Sequence, residues 1–390
     1  MEEYNRIKIQ HICSNICSGG TPKSTIAEYY GGNIPWLNTK EINFCRIYGT
    51  EKTITDKGLN NSSAKWIPTD SVIVAMYGAT AGKTAIAKIP LTTNQACCNL
   101  TIDSAKADYR FVYYALCNDY AYLASLANGG AQQNLNAQQI KEFEIPFPSL
   151  EEQKRIADIL SSLDSKIELN RRINDNLEKS MSTLFDFYFG LDNSESNKYK
   201  GAFLTDIATF INGLAMQKFR PKEDEKGIPV LKIKELGQKS CDSSSDICSP
   251  SIKSDYIVND GDVIFSWSGT LLVDIWSGGK CGLNQHLFKV TSSNYPLWFA
   301  YLWTRMHLNN FIRISKDKAV TMGHIKRVDL ERAEISIPTD DTMQKLDKIF
   351  TPIFDSCVTI RVENRKLSQI RDSLLPKLMS GELKTDDLHR

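Results

Sequence analysis

Residues 150–189 read LEEQKRIADILSSLDSKIELNRRINDNLEKSMSTLFDFYF. Within this stretch, seam residues recur in alternating steps of four and three, which is the heptad pattern of a coiled-coil helix. The seam positions are Ile156, Leu160, Leu163, Ile167, Asn170, Asn174, Leu177, Met181, Leu184 and Tyr188. A plain amphipathic core helix rarely keeps such a seam for so long, so the pattern predicts one long helix that pairs with another.

The same seam recurs near the C-terminus, at Leu346, Phe350, Ile353, Cys357, Ile360, Asn364, Leu367, Arg371, Leu374 and Leu378. Asn174 and Asn364 occupy equivalent positions, and a buried Asn in a coiled coil usually fixes register or partner. Pro352 predicts a kink or a late start of the second helix, and Pro376 with Gly381 predicts its end. The residues expected to form the shared seam are Leu163, Ile167, Asn174, Leu177, Met181, Ile360, Asn364, Leu367 and Leu374.

The chain as a whole is an internal repeat with an offset of about 190 residues. NIPWLNTKEI from Asn33 aligns with GIPVLKIKEL from Gly227, and SVIVAMYGAT from Ser71 aligns with DVIFSWSGTL from Asp262. TTNQACCNLTI, EIPFP and NDNLEKSMSTLF likewise align with GLNQHLFKVTS, EISIP and NRKLSQIRDSLL. A duplicated unit of domain and helix follows, and a pseudo-twofold relation would make the two helices antiparallel.

Each copy begins with short β-branched runs such as SVIVAMY and DVIFSWS, bounded by Gly, Asn, Asp and Pro. Aromatic, helix-compatible stretches follow them, which favours an α+β domain. We therefore predict an α+β fold in which two similar globular domains are joined by two long helices forming an antiparallel coiled coil. The expected boundaries are 1–148 and 199–338 for the domains, and 149–190 and 341–388 for the helices.

The stretch YGATAGKT at residues 77–84 invites comparison with a phosphate-binding loop. Its two glycines are separated by three residues, whereas that loop requires four before its Gly-Lys pair. The second copy reads WSGTLLVD and lacks the Gly-Lys-Thr altogether. We interpret both stretches as a strand (Val72 to Met76, Val263 to Trp267) that runs into a Gly turn able to present Thr80 and Lys83 to a ligand.

Composition excludes several classes of protein. The 390 residues carry a net charge of +1, with 42% hydrophobic and 24% charged residues, as in an ordinary globular protein. No apolar run is long enough for a membrane span and the N-terminus does not look like a signal peptide, so a cytoplasmic protein is expected. The ten cysteines form no C-x-x-C pair and the five histidines are scattered, so no metal site is predicted.

No Ser-His-Asp arrangement, G-x-S-x-G, G-x-G-x-x-G or acidic pair with metal spacing is present. Two similar domains on a rigid spacer instead favour two recognition surfaces held at a fixed separation, as needed for half-sites on duplex DNA. The sequence resembles a specificity (S) subunit of a type I restriction-modification enzyme over essentially its whole length. The strings that carry the resemblance are SGGTPKS, YYGGNIPWLNTKEI, GAQQNLNAQQIKEFEIPFPSLEEQKRIADIL, FINGLAMQKF, GIPVLKIKEL and LLPKLMSGEL.

The resemblance implies that residues 1–148 and 199–338 are target-recognition domains, each reading one half of a bipartite, asymmetric DNA sequence. It implies that the paired helices set the spacing and dock two modification subunits, which methylate adenine with S-adenosylmethionine. Restriction subunits would add translocation and cleavage that depend on ATP and magnesium, while this chain would carry no cofactor and no catalytic residue. The second copy has degenerate versions of the Gly-Gly-Thr-Pro and Pro-Phe-Pro stretches, which weakens transfer of residue roles between the copies.

Asn and Gln read adenine, Arg and Lys read guanine, and Lys, Arg, Ser and Thr bind phosphate. The candidate DNA-binding residues of the first domain are Asn38, Thr39, Lys40, Thr80, Lys83, Gln132, Gln133 and Asn134. Those of the second are Lys232, Lys234, Ser268, Thr270 and a counterpart of the Gln-rich loop formed by Arg313, Lys316, Lys318, Thr321 and His324. For each of them, a solvated loop or turn-forming residue is the alternative.

Other residues are expected to support the structure. Asn94-Gln95 and Asn284-Gln285 occur in both copies, so they are expected to support a loop and not to specify sequence. Trp36 and Tyr77 are expected in the core. The aromatic helix end Phe185, Phe187, Tyr188 and Phe189 is expected to pack under the second domain or against a partner.

Three alternative readings stay open at this point. The first is a structural or regulatory coiled-coil protein whose end domains bind protein. The second is an enzyme that uses the YGATAGKT loop, and the third is a silent gene cassette or a subunit without its partners. The solvent-facing sides of LEEQKRIADIL and TMQKLDKIF are candidate partner surfaces, with a solvated charged face as the alternative.

Overall fold

The computed structural model describes residues 4–127, 134–190, 199–317 and 323–386. The chain forms two compact units: unit 1 comprises Met1–Ser165 with Ser368–Arg390, and unit 2 comprises Lys166–Leu367. These units divide the chain within the two long helices. The domain boundaries expected from the sequence therefore stay a prediction.

Unit 1 is a mixed α+β structure. Its strands are β1 (Arg6–Lys8), β2 (Cys13–Ser18), β3 (Tyr30–Leu37), β4 (Cys45–Ile47), β5 (Lys52–Ile54), β6 (Trp66–Ile67), β7 (Val72–Ala75), β8 (Thr84–Ala87), β9 (Leu91–Thr93), β10 (Cys97–Ile102) and β11 (Glu144–Pro146). Its helices are α1 (Asp56–Asn60), α2 (Tyr109–Asn118), α3 (Tyr120–Ser125), α4 (Ala137–Glu142) and the first part of α5 (Leu150–Phe189).

The strands of unit 1 form sheets with the orders β2-β10-β7-β8-β4, β5-β3-β9-β6 and β1-β11. Strand β7 lies in the middle of the first sheet and is buried on both faces. Val72 and Val74 pack in the core that contains Phe111 of α2, whereas Ile73 and Ala75 pack in a second core. This two-sided burial explains why β7 reads as a continuous apolar run with no polar alternation.

Unit 2 contains the remaining elements. Its strands are β12 (Lys200–Phe203), β13 (Thr209–Asn212), β14 (Ile228–Leu231), β15 (Ile247–Cys248), β16 (Ile257–Val258), β17 (Val263–Ser266), β18 (Leu272–Ile275), β19 (Cys281–Leu283), β20 (Leu287–Thr291) and β21 (Glu334–Ile337). Its helices are α6 (Leu204–Ile207), α7 (Ile233–Gln238), α8 (Leu297–Asp317), α9 (Arg327–Glu331) and α10 (Asp340–Ser380), whose last part belongs to unit 1.

The topology of unit 2 repeats that of unit 1. Its sheets have the orders β13-β20-β17-β18, β15-β14-β19-β16 and β12-β21. In both units the second sheet contains one parallel pair, β3 with β9 and β14 with β19. The internal repeat and the α+β class expected from the sequence are therefore confirmed. One difference is that β4 extends the first sheet of unit 1 beyond β8, whereas α7 packs near β18 in unit 2.

Segments of α5 and α10 pair antiparallel within each unit, as the repeat predicts. In unit 1, Arg371 Nη1 donates to Asp164 Oδ1 at 2.7 Å. Beyond the end of α10, Thr385 Oγ1 donates to Glu152 Oε2 near the start of α5 at 2.8 Å. In unit 2, Asn364 Nδ2 donates to the carbonyl oxygen of Ile167 at 3.3 Å, and Glu363 accepts from Asn170 Nδ2 at 2.7 Å.

The heptad residues lie on the inner faces of the helices. On α5, Ile167, Asn174 and Met181 are buried, and Leu163 and Leu177 are half-buried. On α10, Ile360, Asn364, Leu367 and Leu374 are half-buried. The two seam asparagines bond locally or to the backbone: Asn174 Nδ2 donates to Glu178 Oε1 at 2.6 Å, while Asn364 bonds the Ile167 carbonyl.

Two prolines lie inside α10. The helix begins at Asp340 and continues through Pro352 and Pro376 to Ser380, so the late start and the end predicted at Pro376 are wrong. Each proline removes one backbone donor, but burial of neighbours such as Phe350 and Leu378 compensates for that loss. The predicted stop at Gly381 is confirmed, since its φ of +76° lies in the left-handed region that ends helices.

Candidate nucleic-acid interface

A loop corner in unit 1, formed by residues 76–80 and 134–136, joins two of the segments expected to contact DNA. After β7 the chain enters a 3₁₀ turn at Gly78–Thr80, as the strand-to-turn interpretation of YGATAGKT predicts. The Leu135 N–H donates to the Met76 carbonyl at 2.7 Å, and Asn134 forms an antiparallel bridge with Tyr77. Main-chain bonds therefore hold Asn134 beside the turn that carries Thr80.

A second contact brings in the loop after β3. Lys83 Nζ donates to Asn43 Oδ1 at 2.8 Å and lies 6.0 Å from the centroid of the Phe44 ring. Asn43 lies two residues after the 3₁₀ turn of Thr39–Glu41. The described loops that carry the first-domain candidates are thus connected. Gln132 and Gln133 lie outside the described residues.

Some of these candidates have structural tasks of their own. The Asn38 side-chain oxygen accepts from the Lys40 N–H at 3.2 Å, and the Asn38 N–H donates to Glu41 Oε1 at 2.9 Å. This arrangement is a capping box, so Asn38 forms the turn in addition to any contact with a ligand. The Lys40 ammonium pairs with Glu51 at 2.5 Å, and the Thr80 hydroxyl donates to the Tyr77 carbonyl at 3.3 Å.

In unit 2, the predicted residues Lys232 and Lys234 line an open cleft of about 740 Å³. Six further polar residues line the same cleft, and the sequence did not single out any of them as a DNA-binding candidate: Gln217, Arg220, Asp246, Asn284, Gln285 and His286. Four separate segments supply the cleft, and only folding brings them together. The available signal was weak, because Gln217 and Arg220 follow the FINGLAM stretch without any pattern of their own.

The lysines of this cleft have partners on a neighbouring loop. Lys232 Nζ bonds the Asp246 carboxylate, which holds the pKa of that carboxyl below its usual range. Lys234 Nζ donates to Ser244 Oγ at 2.7 Å. These contacts orient both ammonium groups in the free chain. A phosphate that approaches the cleft must share the lysines with these partners or displace them.

Unit 2 has the equivalent loop corner, formed by residues 267–270 and 323–326. The Ile325 N–H donates to the Trp267 carbonyl at 3.1 Å, and Ser268 forms an antiparallel bridge with His324. Ser268 is buried and Thr270 is exposed. The structure thus brings Ser268, Thr270 and His324 together as it does their counterparts in unit 1.

The remaining second-domain candidates do not all lie in a loop. Arg313 and Lys316 belong to α8, so the expectation that they form a counterpart of the Gln-rich loop is wrong. Apolar residues such as Phe311 continue the buried face of that helix and extend it to Asp317. Both basic residues are exposed, and Arg313 Nη2 donates to Asn310 Oδ1 at 2.9 Å. Lys318 and Thr321 lie outside the described residues.

The shared Asn residues support turns, as the sequence predicts. Asn94 Oδ1 accepts from the Ala96 N–H at 3.1 Å, and Asn284 Oδ1 accepts from the His286 N–H at 3.3 Å. Both Asn side chains are buried. Because the same bond recurs in both copies, these two residues shape the loop beside the parallel strand and do not distinguish one copy from the other.

The two aromatic residues expected in the core differ. Trp36 is buried and its Nε1 donates to the Gly20 carbonyl at 2.9 Å, so its prediction is confirmed. A Cβ on Gly20 would lie 2.2 Å from the Ala64 nitrogen, which explains the glycine of SGGTPKS. Tyr77 is 43% exposed, so its prediction is wrong. The strand ends at Ala75, and Tyr77 opens the turn outside the sheet.

Comparison with known proteins identifies the family. The family model described as type I restriction modification DNA specificity domain matches residues 1–179 and 197–371. The chain belongs to this family. It is 31% identical to the specificity subunit of the type I restriction enzyme MjaIX of Methanocaldococcus jannaschii, over 99% of this chain and 95% of that subunit. It is also 28% identical to the EcoR124I/EcoR124II specificity subunit of Escherichia coli, over 38% of each protein.

A solved structure supports the specificity-family fold independently. The type I restriction-modification S subunit from M. genitalium matches with a TM-score of 0.64 at 18% sequence identity, over 96% of each chain. At that identity the likeness concerns the fold alone. The family match and this likeness of fold therefore agree with the sequence-based expectation of two domain copies and two long helices.

The aromatic end of α5 is divided between core and surface in this specificity-family chain. Phe185 and Phe189 are buried in unit 2, with ring centroids 5.2 Å and 5.7 Å from that of Trp303. Phe187 is 67% exposed and lies edge-on to Tyr188. Packing under the second domain therefore accounts for two of the rings, and Phe187 is presented to solvent.

Several features of the specificity-family chain bear on reactivity. All ten cysteines are free, and burial raises the pKa of the Cys13 and Cys98 thiols to about 12, so both stay protonated. In the described ranges, no group of three or more His, Cys, Asp or Glu is arranged to hold a metal ion. Among those same residues, no helix has both the length and the apolar character needed to cross a membrane.

Proposed function

We propose that this chain is the DNA sequence-specificity subunit of a type I restriction-modification complex. The observation that carries the proposal is the loop corner, which recurs in both units with the same main-chain bonds and carries polar side chains at its rim. Family membership over both copies supports it. Unit 1 reads one half of the target and unit 2 reads the other.

The divergence of equivalent residues supports an asymmetric target. Asn134 in unit 1 corresponds to His324 in unit 2, and both occupy the bridged position of their corner. Asn38 after β3 corresponds to Lys232 after β14. Side chains with different donors and acceptors on the same scaffold select different bases, since base edges differ in their donor and acceptor patterns. The two half-sites therefore differ in sequence.

Helices α5 and α10 set the number of base pairs between the half-sites and dock two modification subunits. Exposed apolar residues on α5 support the docking role: Leu169 and Ile173 lie one turn apart, and Phe187 is exposed on the same helix farther along. The modification subunits hold S-adenosylmethionine and methylate adenine. Restriction subunits add ATP- and magnesium-dependent translocation and cleavage. This chain supplies no catalytic group and no cofactor, and the complex acts in the cytoplasm.

A genome-wide map of methylated adenine tests this function. The map is made in cells with the gene intact and in cells with the gene deleted, with the neighbouring genes unchanged. We expect a split motif with a fixed gap that disappears on deletion. An unchanged map, together with no salt-sensitive binding of the purified chain to duplex DNA, would contradict the proposal.

A further inference from the structure

Unit 2 contains a second cavity of about 550 Å³, separate from the lysine-lined cleft. Its walls include the rings of Phe210, Trp267 and Phe288, whose centroids lie 5.7–5.9 Å apart in the pairs Trp267–Phe288 and Phe210–Phe288. Lys326 and Arg327 also line it, and both are exposed. Its volume is typical of ligand sites, which measure about 300–1,000 Å³.

The cavity adjoins the loop corner of unit 2. Trp267 and His324 belong to both features, and their ring centroids are 6.3 Å apart. On the other side, Trp267 Nε1 donates to Asn212 Oδ1 at 3.1 Å. This bond uses the amide oxygen of Asn212, so its NH₂ group is the part of the side chain able to donate to a ligand. Whatever binds at the corner is therefore within reach of the cavity.

The aromatic and cationic character is specific to the second copy. The alignment of the repeats and the strand registers place Ile16, Met76 and Cys98 of unit 1 where unit 2 has Phe210, Trp267 and Phe288. Met76 and Cys98 are buried in a core, whereas Trp267 and Phe288 are only half-buried. The counterparts of the two cationic residues are Asn136 and Ala137.

These features define the chemistry of an occupant. Flat aromatic walls favour a stacked planar ring, and stacking of a base on an aromatic side chain contributes about 1–3 kcal/mol. The residues that line the cavity within the described chain include no Asp or Glu, and Lys326 and Arg327 supply positive charge. A planar ring attached to a phosphate satisfies both conditions. An aliphatic protein segment satisfies neither condition, and an acidic segment satisfies only the second.

We propose that this cavity receives one base of the half-site read by unit 2, turned out of the duplex, with its phosphate near Lys326 and Arg327. The inference rests on the proposed function, because the corner must lie against the DNA for the base to enter. Turning a base out of a duplex costs a few kcal/mol, and less when the base is mismatched. Unit 1, where Ile16, Met76 and Cys98 occupy the positions of the three rings, reads its half-site without this step.

Mismatched duplexes distinguish recognition of an extrahelical base from direct readout of a paired base. The purified full chain is titrated with duplexes that contain the target found by methylation mapping. Each position of each half-site is mismatched in turn by changing one strand and then, in a second series, the other. We expect one position in the half-site of unit 2 at which a mismatch tightens binding about tenfold, which corresponds to about 1.4 kcal/mol. No position in the half-site of unit 1 should behave in this way.

Two variants test whether the cavity is the site. Trp267→Leu and the surface double variant Lys326→Gln/Arg327→Gln should each abolish the tighter binding of the duplex mismatched at that position. The second variant controls for folding, because the Arg327 side chain is 83% exposed and its Nε lies as far as 3.6 Å from Glu331 Oε1. Lys280→Gln, an exposed residue between β18 and β19, is the matched control and should keep the gain.

The outcomes distinguish this inference from the proposed function. Normal binding to the intact target with every mismatch weakening it would overturn the extrahelical base and leave the specificity role intact. A gain that persists in both variants would also overturn the inference. Binding of free deoxynucleoside monophosphates that Trp267→Leu abolishes, without any mismatch effect on duplexes, would assign the cavity to free nucleotide and reject the proposal. No binding to the mapped target would reject the proposed function itself.

Discussion

Replacement of Arg361 by Met should destabilise unit 2 by about 3 kcal/mol. The guanidinium group is 7% exposed and connects helices and sheet within that unit. Its Nη2 lies 2.5 Å from Glu178 Oε1 of α5, and its Nη1 lies 2.7 Å from Asp274 Oδ1 and from the Ile275 carbonyl of β18. Burial alone would lower the pKa of Arg361, but the two carboxylates outweigh it and raise the pKa above its usual range. The residue therefore stays charged.

The magnitude follows from what the change leaves behind. Loss of one partner of a buried ion pair costs about 3–5 kcal/mol, because the remaining charge is buried without compensation. Here each carboxylate keeps a second cation: Arg305 lies 3.6 Å from Glu178, and Lys239 lies 3.2 Å from Asp274. These contacts are longer, and both cations are more exposed than Arg361. The expected loss is accordingly at the lower end of that range.

The assay is urea unfolding followed by tryptophan fluorescence. Trp276, Trp298 and Trp303 are buried in unit 2, so the change in their emission reports chiefly on that unit. Lys348→Met is the matched control, because Lys348 is exposed on the same helix and its loss should change stability by no more than about 0.5 kcal/mol. The free energy of unfolding is compared at pH 7 and 25 °C.

A further variant tests the cause of the lost stability as well as its magnitude. Glu178→Gln and Asp274→Asn, added to Arg361→Met, remove the buried negative charges that the single change leaves behind. If uncompensated charge causes the loss, the triple variant should recover about 1–2 kcal/mol. A single-variant loss below about 1 kcal/mol, or a triple variant less stable than the single one, would refute the reasoning.

Three other changes have defined outcomes. Lys232→Ala, at the lysine-lined cleft, should reduce the slope of log binding constant against log salt concentration by about one, measured with the mapped duplex. The two hydrogen bonds from Arg365 hold the pKa of Asp260 below its usual range, so this pair stabilises unit 2 above the unfolded pKa of about 3.9 and the effect is lost as pH falls through the folded pKa. Asp260→Asn should therefore lower the free energy of unfolding by about 1 kcal/mol at pH 7, and the difference should vanish below the folded pKa in the same urea assay. Phe187→Ser should change stability by no more than about 0.5 kcal/mol but weaken binding of the modification subunit in calorimetry, since this ring is 67% exposed.

The long helices were predictable because their signal is periodic and extended. A seam that repeats from Ile156 to Met181 depends on local spacing alone, and burial follows it. Arg361 shows the limit of that signal. It follows Ile360 directly, one position off the seam, where the pattern indicates a solvated side chain. Its burial depends on Asp274, a residue 87 positions away in the sequence, which periodicity cannot reveal.

The candidate interface was less predictable for a related reason. Residue chemistry singled out Lys232 and Lys234, but the cleft they share with Gln217 and Gln285 exists only because four segments converge. Tyr77 was misplaced for the opposite reason. Its neighbours form an apolar strand, and the sequence does not reveal that the strand ends two residues earlier.

The loop corners explain how one scaffold can recognise two different DNA half-sites. In both units a main-chain N–H donates to a main-chain carbonyl, Leu135 to Met76 and Ile325 to Trp267, and the bridged pair beside it is also formed by backbone. Main-chain bonds of this kind make few demands on side-chain identity. Asn134 and His324 could therefore diverge after duplication without loss of the corner. Exchange of these two side chains between the units should accordingly alter the bases that each unit prefers and leave the free energy of unfolding nearly unchanged.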